Sequence, residues 1–186
     1  MQFLQLDVRN KLPFEPESFD IIHARFIFMH LPNWQKVLEN IISLLKPGGW
    51  LWIEEVDFWL YDDGPQGLGP SLKVFNKKCL SHSGLRNVDV FTASSLRPVL
   101  EGLGSFIEVH NIGMRCPTNG KNIDSNARQM GQVLWAAFRQ ALKQSKVLQW
   151  VADDITSELA DEVIQEAEDP LRDVYLQMYM TWSQKK

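Results

Sequence analysis

With 186 residues and 45% hydrophobic content, the chain has apolar material for one well-packed core and little room for two, so a single domain spanning 1–186 is expected. A net charge of -4 gives no global attraction to polyanions, which disfavours nucleic-acid binding by phosphate neutralisation, and no nucleic-acid partner is expected. Two cysteines without metal-ligand spacing, no secretory leader and no run of about 18 apolar residues predict reduced thiols, no metal site, no membrane partner and a cytoplasmic or nuclear location.

In chain order, residues 3–8 (FLQLDV) are mostly apolar and read as a short strand that closes on Asp7 and Val8. Pro16, Glu17 and Ser18 then form a turn-rich lead into residues 19–24, an Ile-rich run too short for a helix and read as a buried strand. Asn33 is placed to cap a helix whose apolar face carries Val37, Leu38, Ile41, Ile42, Leu44 and Leu45. Pro47, Gly48 and Gly49 are expected to stop that helix, with glycine supplying the left-handed backbone a helix end needs. Residues 50–56 read as a second buried strand. Two strands covered on both faces and joined by a helix should lie parallel, with the helix as a right-handed crossover. Ligands of such sheets sit beyond the strand C-termini, and this rim carries His23, Ala24, Arg25, Glu54 and Glu55.

Further on, Asp62, Asp63 and Gly64 signal a turn, and residues 64–70 (GPQGLGP) read as a loop, because two prolines and the wrong glycine order do not suit a phosphate cradle. Helices are predicted over 71–80 and from Ser94 or Ser95 to Gly102 or Gly104, with Pro98 in the first turn of the latter. A strand is expected over 106–114. A long helix over 124–146, capped by Asp124 or Ser125, and a shorter one over 156–168 follow, and the alternation over 174–182 predicts a final strand.

Several residues in that order carry a family resemblance. The run SFDIIHAR, then a helix, then LLKPGGWL, with His23, Arg25, Trp34 and the string Lys46 to Trp50, resembles the second half of a class I S-adenosylmethionine-dependent methyltransferase, and is especially similar to the fungal LaeA-like group. The resemblance implies an α/β, partial Rossmann-like sheet with strands in the order 3, 4, 5, 7, 6 and a helical insertion, about 118–170, between strands 6 and 7. It makes residues 3–8 the third strand, whose Asp7 and neighbour Val8 would contact the adenine of S-adenosylmethionine, with Ala24 and Arg25 as further cofactor contacts. On the residues alone, the alternative for Asp7 is a strand-end cap for the next turn. Strands 1 and 2, with their glycine turn and ribose-binding acid, would then be missing, leaving an N-terminally incomplete domain with a bare strand edge. One departure is Asp173, where the family has His.

Methyl transfer from a sulfonium needs mainly alignment of nucleophile and methyl group, so no strict triad is expected. His23 and His30 are the candidates for taking a proton from the acceptor, the alternative for each being a structural hydrogen bond. Arg25 can clamp a carboxylate or pair with Glu54 or Glu55. Glu55 and Asp57 are candidate substrate contacts. The expected function is methyl transfer from S-adenosylmethionine to a small molecule, such as a secondary metabolite, or to a protein, by a chain that is weak or inactive alone. The alternative is a non-catalytic, methyltransferase-like interaction or regulatory protein, oligomeric through its exposed strand edge.

Overall fold

The computed structural model describes residues 3–121, 124–144 and 155–186, so the last two residues of the helix predicted over 124–146 lie outside the described residues. In chain order the elements are β1 (Phe19–Arg25), a 3-10 turn (Phe28–His30), α1 (Trp34–Ser43), β2 (Leu45–Asp62), α2 (Pro70–Arg86), α3 (Thr92–Leu103), β3 (Phe106–Pro117), α4 (Ser125–Lys143), α5 (Ser157–Glu168) and β4 (Val174–Lys185). They build a mixed α/β, Rossmann-like domain around one open sheet of order β1-β2-β4-β3. β1 and β2 are parallel and joined by α1, as the periodicity predicts; β4 is antiparallel to both β2 and β3. The helices α4 and α5 fill the connection between β3 and β4, where an insertion is expected.

Two cores flank this sheet. On one face, α1 and α3 press Trp34, Leu38, Ile42, Leu96 and Leu100 onto Ala24, Leu51 and Ile53. On the other, α2, α4 and α5 bring Phe75, Phe138 and Val163 onto Val56, Phe58, Leu60, Leu176 and Met178. The thiols of Cys79 and Cys116 are buried in that second core. Helix ends follow local chemistry: the Asp124 side chain accepts from the N–H groups of Asn126 and Ala127, and Thr156 accepts from that of Leu159. The loop before α2 is held by Arg172, whose guanidinium donates to Asp62 Oδ2 at 3.0 Å and to the Gly67 carbonyl at 2.9 Å, while Glu166 of α5 accepts from Ser71 and the Leu72 N–H at the start of α2. Only glycine allows that approach, because a Cβ on Gly69 would sit 1.5 Å from the Glu166 carboxylate.

Four expectations are corrected. The strand predicted over residues 3–8 does not form: 3–7 are irregular and exposed, because a strand needs a neighbour to satisfy its backbone and the sheet offers it none. The strand order is therefore the family's 4, 5, 7, 6, without strand 3. Pro47 to Gly49 do not stop α1, which ends at Ser43 with the Leu44 N–H bonded to the Ile41 and Ile42 carbonyls. They instead form a bulge within β2, where the register jumps from Phe19 opposite Leu45 to Ile21 opposite Trp50 and Gly48 adopts φ +77°. Pro98 lies inside α3 and not in its first turn, since the helix begins earlier, at Thr92. Finally, neither β1 nor the start of β2 is buried on both faces: Ile21, Trp50 and Trp52 are exposed.

Candidate active site

The parallel pair ends in two groups of polar side chains that point to opposite faces, as strand alternation requires. On one face Glu54 stands between His23 and Arg25: its Oε1 is 3.1 Å from His23 Nε2 and its Oε2 is 3.3 Å from Arg25 Nε. Arg25 also lies over the Phe26 ring, 5.2 Å from its centroid. Of the two options for Arg25, the ion pair with Glu54 is the one formed.

On the opposite face Glu55 is fully buried, and its Oε2 accepts from the backbone N–H groups of Ile27, Phe28 and Met29 at 3.1, 2.9 and 3.3 Å. It thereby fixes the 3-10 turn that carries His30. Burial pushes the Glu55 pKa up to about 7, against the pull of those amides. Asp57, also fully buried, sits where the β2–β4 register shifts between Val56 and Leu60. Its Oδ1 accepts from the Ser94 N–H at 3.0 Å and its Oδ2 from the Tyr61 hydroxyl at 3.2 Å. A carboxylate on the first-turn amides of a helix complements the helix dipole, which is why α3 starts without a side-chain cap of its own. Burial raises the Asp57 pKa, and burial together with the Asp57 charge raises that of Tyr61.

Beside Asp57 opens a cavity of about 170 Å³, lined by Val56, Phe58, Leu134, Phe138 and Leu176 with His30 and Asp57 as its polar groups. Desolvation lowers the His30 pKa, so its imidazole is neutral at neutral pH. A larger groove, about 840 Å³, runs along α2 and α5 and contains none of the residues singled out from the sequence.

The predicted site residues therefore divide. His23, Arg25 and Glu54 come together on one face; His30 and Asp57 share the cavity; Glu55 is an internal anchor. Asp7 stands apart, exposed and bidentate to Arg9 (2.8 and 2.9 Å), whose guanidinium draws the Asp7 pKa down to about 2. Val8 is half-buried against the α1 core, and Ala24 is enclosed within it. Asp7, Val8, Ala24 and Arg25 thus form no common cradle into which S-adenosylmethionine would fit. The α4 contributions to the cavity, Leu134 and Phe138, carry no signal beyond an apolar helix face and were legible only as core.

The family model described as a methyltransferase domain matches residues 1–53. The matched segment holds β1, α1 and the first part of β2. Among relatives, the chain is 30% identical over 183 residues to methyltransferase str2 of Strobilurus tenacellus, covering 95% of this chain and 65% of str2. It is 41% identical over 44 residues, 24% of this chain and 11% of the relative, to the secondary metabolism regulator laeA of Coprinopsis cinerea. A solved structure, Haemonchus contortus phosphoethanolamine N-methyltransferase 2 in complex with S-adenosyl-L-methionine, is similar with a TM-score of 0.47 at 19% identity, over 92% of this chain and 34% of that one. The chain spans between 53% and 65% of the length of the curated relatives it matches over most of its own length.

Proposed function

We propose that this chain is the acceptor-side portion of an S-adenosylmethionine-dependent methyltransferase that acts on a small, largely apolar molecule of secondary metabolism, in a lineage close to the LaeA-like proteins. The observation that carries the reading is the coincidence of the matched segment, residues 1–53, with the β1–α1–β2 unit, beside whose last strand lies the apolar cavity containing His30 and Asp57. A cavity of about 170 Å³ has room for a group the size of one aromatic ring. Neutral His30 is the group suited to take a proton from an acceptor hydroxyl or amine. His23 and Arg25, tied to Glu54, belong to the rim and not to that cavity.

Because the cofactor candidates do not converge, the chain alone should bind S-adenosylmethionine weakly or not at all and show little transfer. Isothermal titration of the isolated chain with S-adenosylmethionine tests this, and micromolar binding overturns it. On the acceptor side, filling the cavity with Ala137→Trp should abolish binding of small apolar phenols, read by their own titration without any methyl donor.

A further inference from the structure

A second surface lies outside that reading, on the helices that enclose the second half of β2. Residues 64–88, which lead into and form α2, contain no Asp or Glu and carry Lys73, Lys77, Lys78 and Arg86, within a chain whose net charge is -4. α5 is the reverse: between Ser157 and Glu168 it holds Glu158, Asp161, Glu162, Glu166 and Glu168, with no Lys, Arg or His. The two helices are tied together by Glu166, which accepts from the Ser71 hydroxyl and the Leu72 N–H. One side of the molecule therefore carries a cationic strip beside an anionic one.

Between the strips runs the groove of about 840 Å³, with Pro70 and Val74 on the α2 side and Leu159 and Glu162 on the α5 side. Two of its acids are matched within the chain, Glu166 to Arg172 and Glu168 to Arg139, each at 3.3 Å. Lys73 and Lys77, either side of Val74 on the helix, are exposed, as are Glu162 and Gln165 on α5. Apolar groups are exposed with them: Val74 by 46%, Leu85, on the same side of α2, by 83%, and Leu171, between the groove residues Pro170 and Arg172, by 79%. A groove with exposed Val and Leu side chains and charges around them has the make-up of a protein–protein contact, apolar at its centre and polar at its rim.

The arrangement of charge says which protein fits. A cationic segment laid in the groove would match α5 and meet like charge on α2, and an anionic segment would do the reverse, each at a cost. A second copy of the chain matches both strips at once. A two-fold axis along the groove places α2 of one protomer over α5 of its partner and, by symmetry, α5 over α2, which is the self-complementarity an isologous interface requires. We infer that the α2–α5 face is the interface of a homodimer, with α2 and α5 of both protomers forming a four-helix contact centred on Val74 and Leu159. This interface does not depend on the methyl-transfer reading, and it differs from the strand-edge oligomer expected from the sequence.

Sedimentation equilibrium of the chain, read together with circular dichroism, tests it. The expected result is a reversible dimer that added salt weakens, because the matched charges lie at an exposed rim open to screening. Lys73→Glu with Lys77→Glu turns the α2 strip negative, and Glu162→Lys with Gln165→Lys turns the α5 rim positive. Each double variant alone should associate about tenfold more weakly or worse, and an equimolar mixture of the two should dimerise again, since opposite charges then face each other at both contacts. Val74→Glu, a single change at the groove centre, should also give the monomer. A wild-type chain that stays monomeric throughout the micromolar range overturns the proposal. So does a dimer that survives these substitutions, a pair of folded double variants that remain monomeric when mixed, or a dimer that Trp52→Glu, on the bare part of the sheet, converts to a monomer.

Discussion

One face of the sheet is dressed at one end and bare at the other. Along β2, Val56, Phe58 and Leu60 are enclosed by α2, α4 and α5, whereas Trp50 and Trp52, on the same strand, are exposed. β4 repeats the division: Leu176 and Met178 are buried, and Trp182 stacks on the exposed Trp52 ring. β2 is rich in apolar residues at both ends. What differs is whether a covering element is present: at the dressed end it comes from α2 and from the helices of the long β3–β4 connection, of which α4 begins over 60 residues after β2 ends. Burial is thus a property of the assembled layers and not of a strand's own composition.

Substitutions at the two ends should separate them. The largest effect is expected for Phe138→Ala, which removes a ring packed 4.8 Å from Phe58 and 5.8 Å from Phe75 and should lower stability by about 4 kcal/mol in urea denaturation. Arg172→Ala, at the same dressed end, leaves Asp62 buried without its cation and should cost about 3 kcal/mol by the same measurement. At the boundary between the ends, Glu55 gives a pH test. Its carboxyl pKa is raised by burial from 4.5 to about 7, so the folded state holds the proton more tightly than the unfolded chain. The contribution is full below pH 4.5 and is lost as pH rises through 7, by about 3 kcal/mol in all; Glu55→Gln should flatten that slope in a series of urea midpoints. The smallest effect is expected at the bare end, where Trp52→Ala should change the stability of the isolated chain by less than about 1 kcal/mol. A loss at Trp52 comparable to that at Phe138 would mean that this face is covered in solution and would break the contrast.

Much of the fold was legible because its signals are local. The apolar spacing of Val37, Leu38, Ile41 and Ile42 fixed α1 and its buried face, and Asp124 and Thr156 marked two helix starts by the hydrogen bonds their side chains accept. The string Lys46 to Trp50 is informative but ambiguous in role, because a glycine after a helix suits a C-cap and a strand bulge equally well and only the pairing with β1 chooses between them. At the candidate site, an ion pair of Arg25 was readable as one option with either Glu54 or Glu55, and the tertiary structure selects Glu54. The roles of Glu55 and Asp57 were not: each accepts hydrogen bonds from backbone amides, at the 3-10 turn and at the start of α3, that are about 30 residues away along the chain.

The amino-acid order by itself determined the alternation of strands and helices, the parallel β1–α1–β2 unit and the likeness to a methyltransferase domain, since each depends on periodicity, turn chemistry or a short ordered motif. Tertiary structure alone decided that residues 3–8 remain unpaired, that His30 and not His23 shares a cavity with Asp57, and that half of one sheet face is bare. The physical reason is that strand pairing and burial are satisfied by neighbours distant in sequence, and a segment's own residues cannot report whether those neighbours are there.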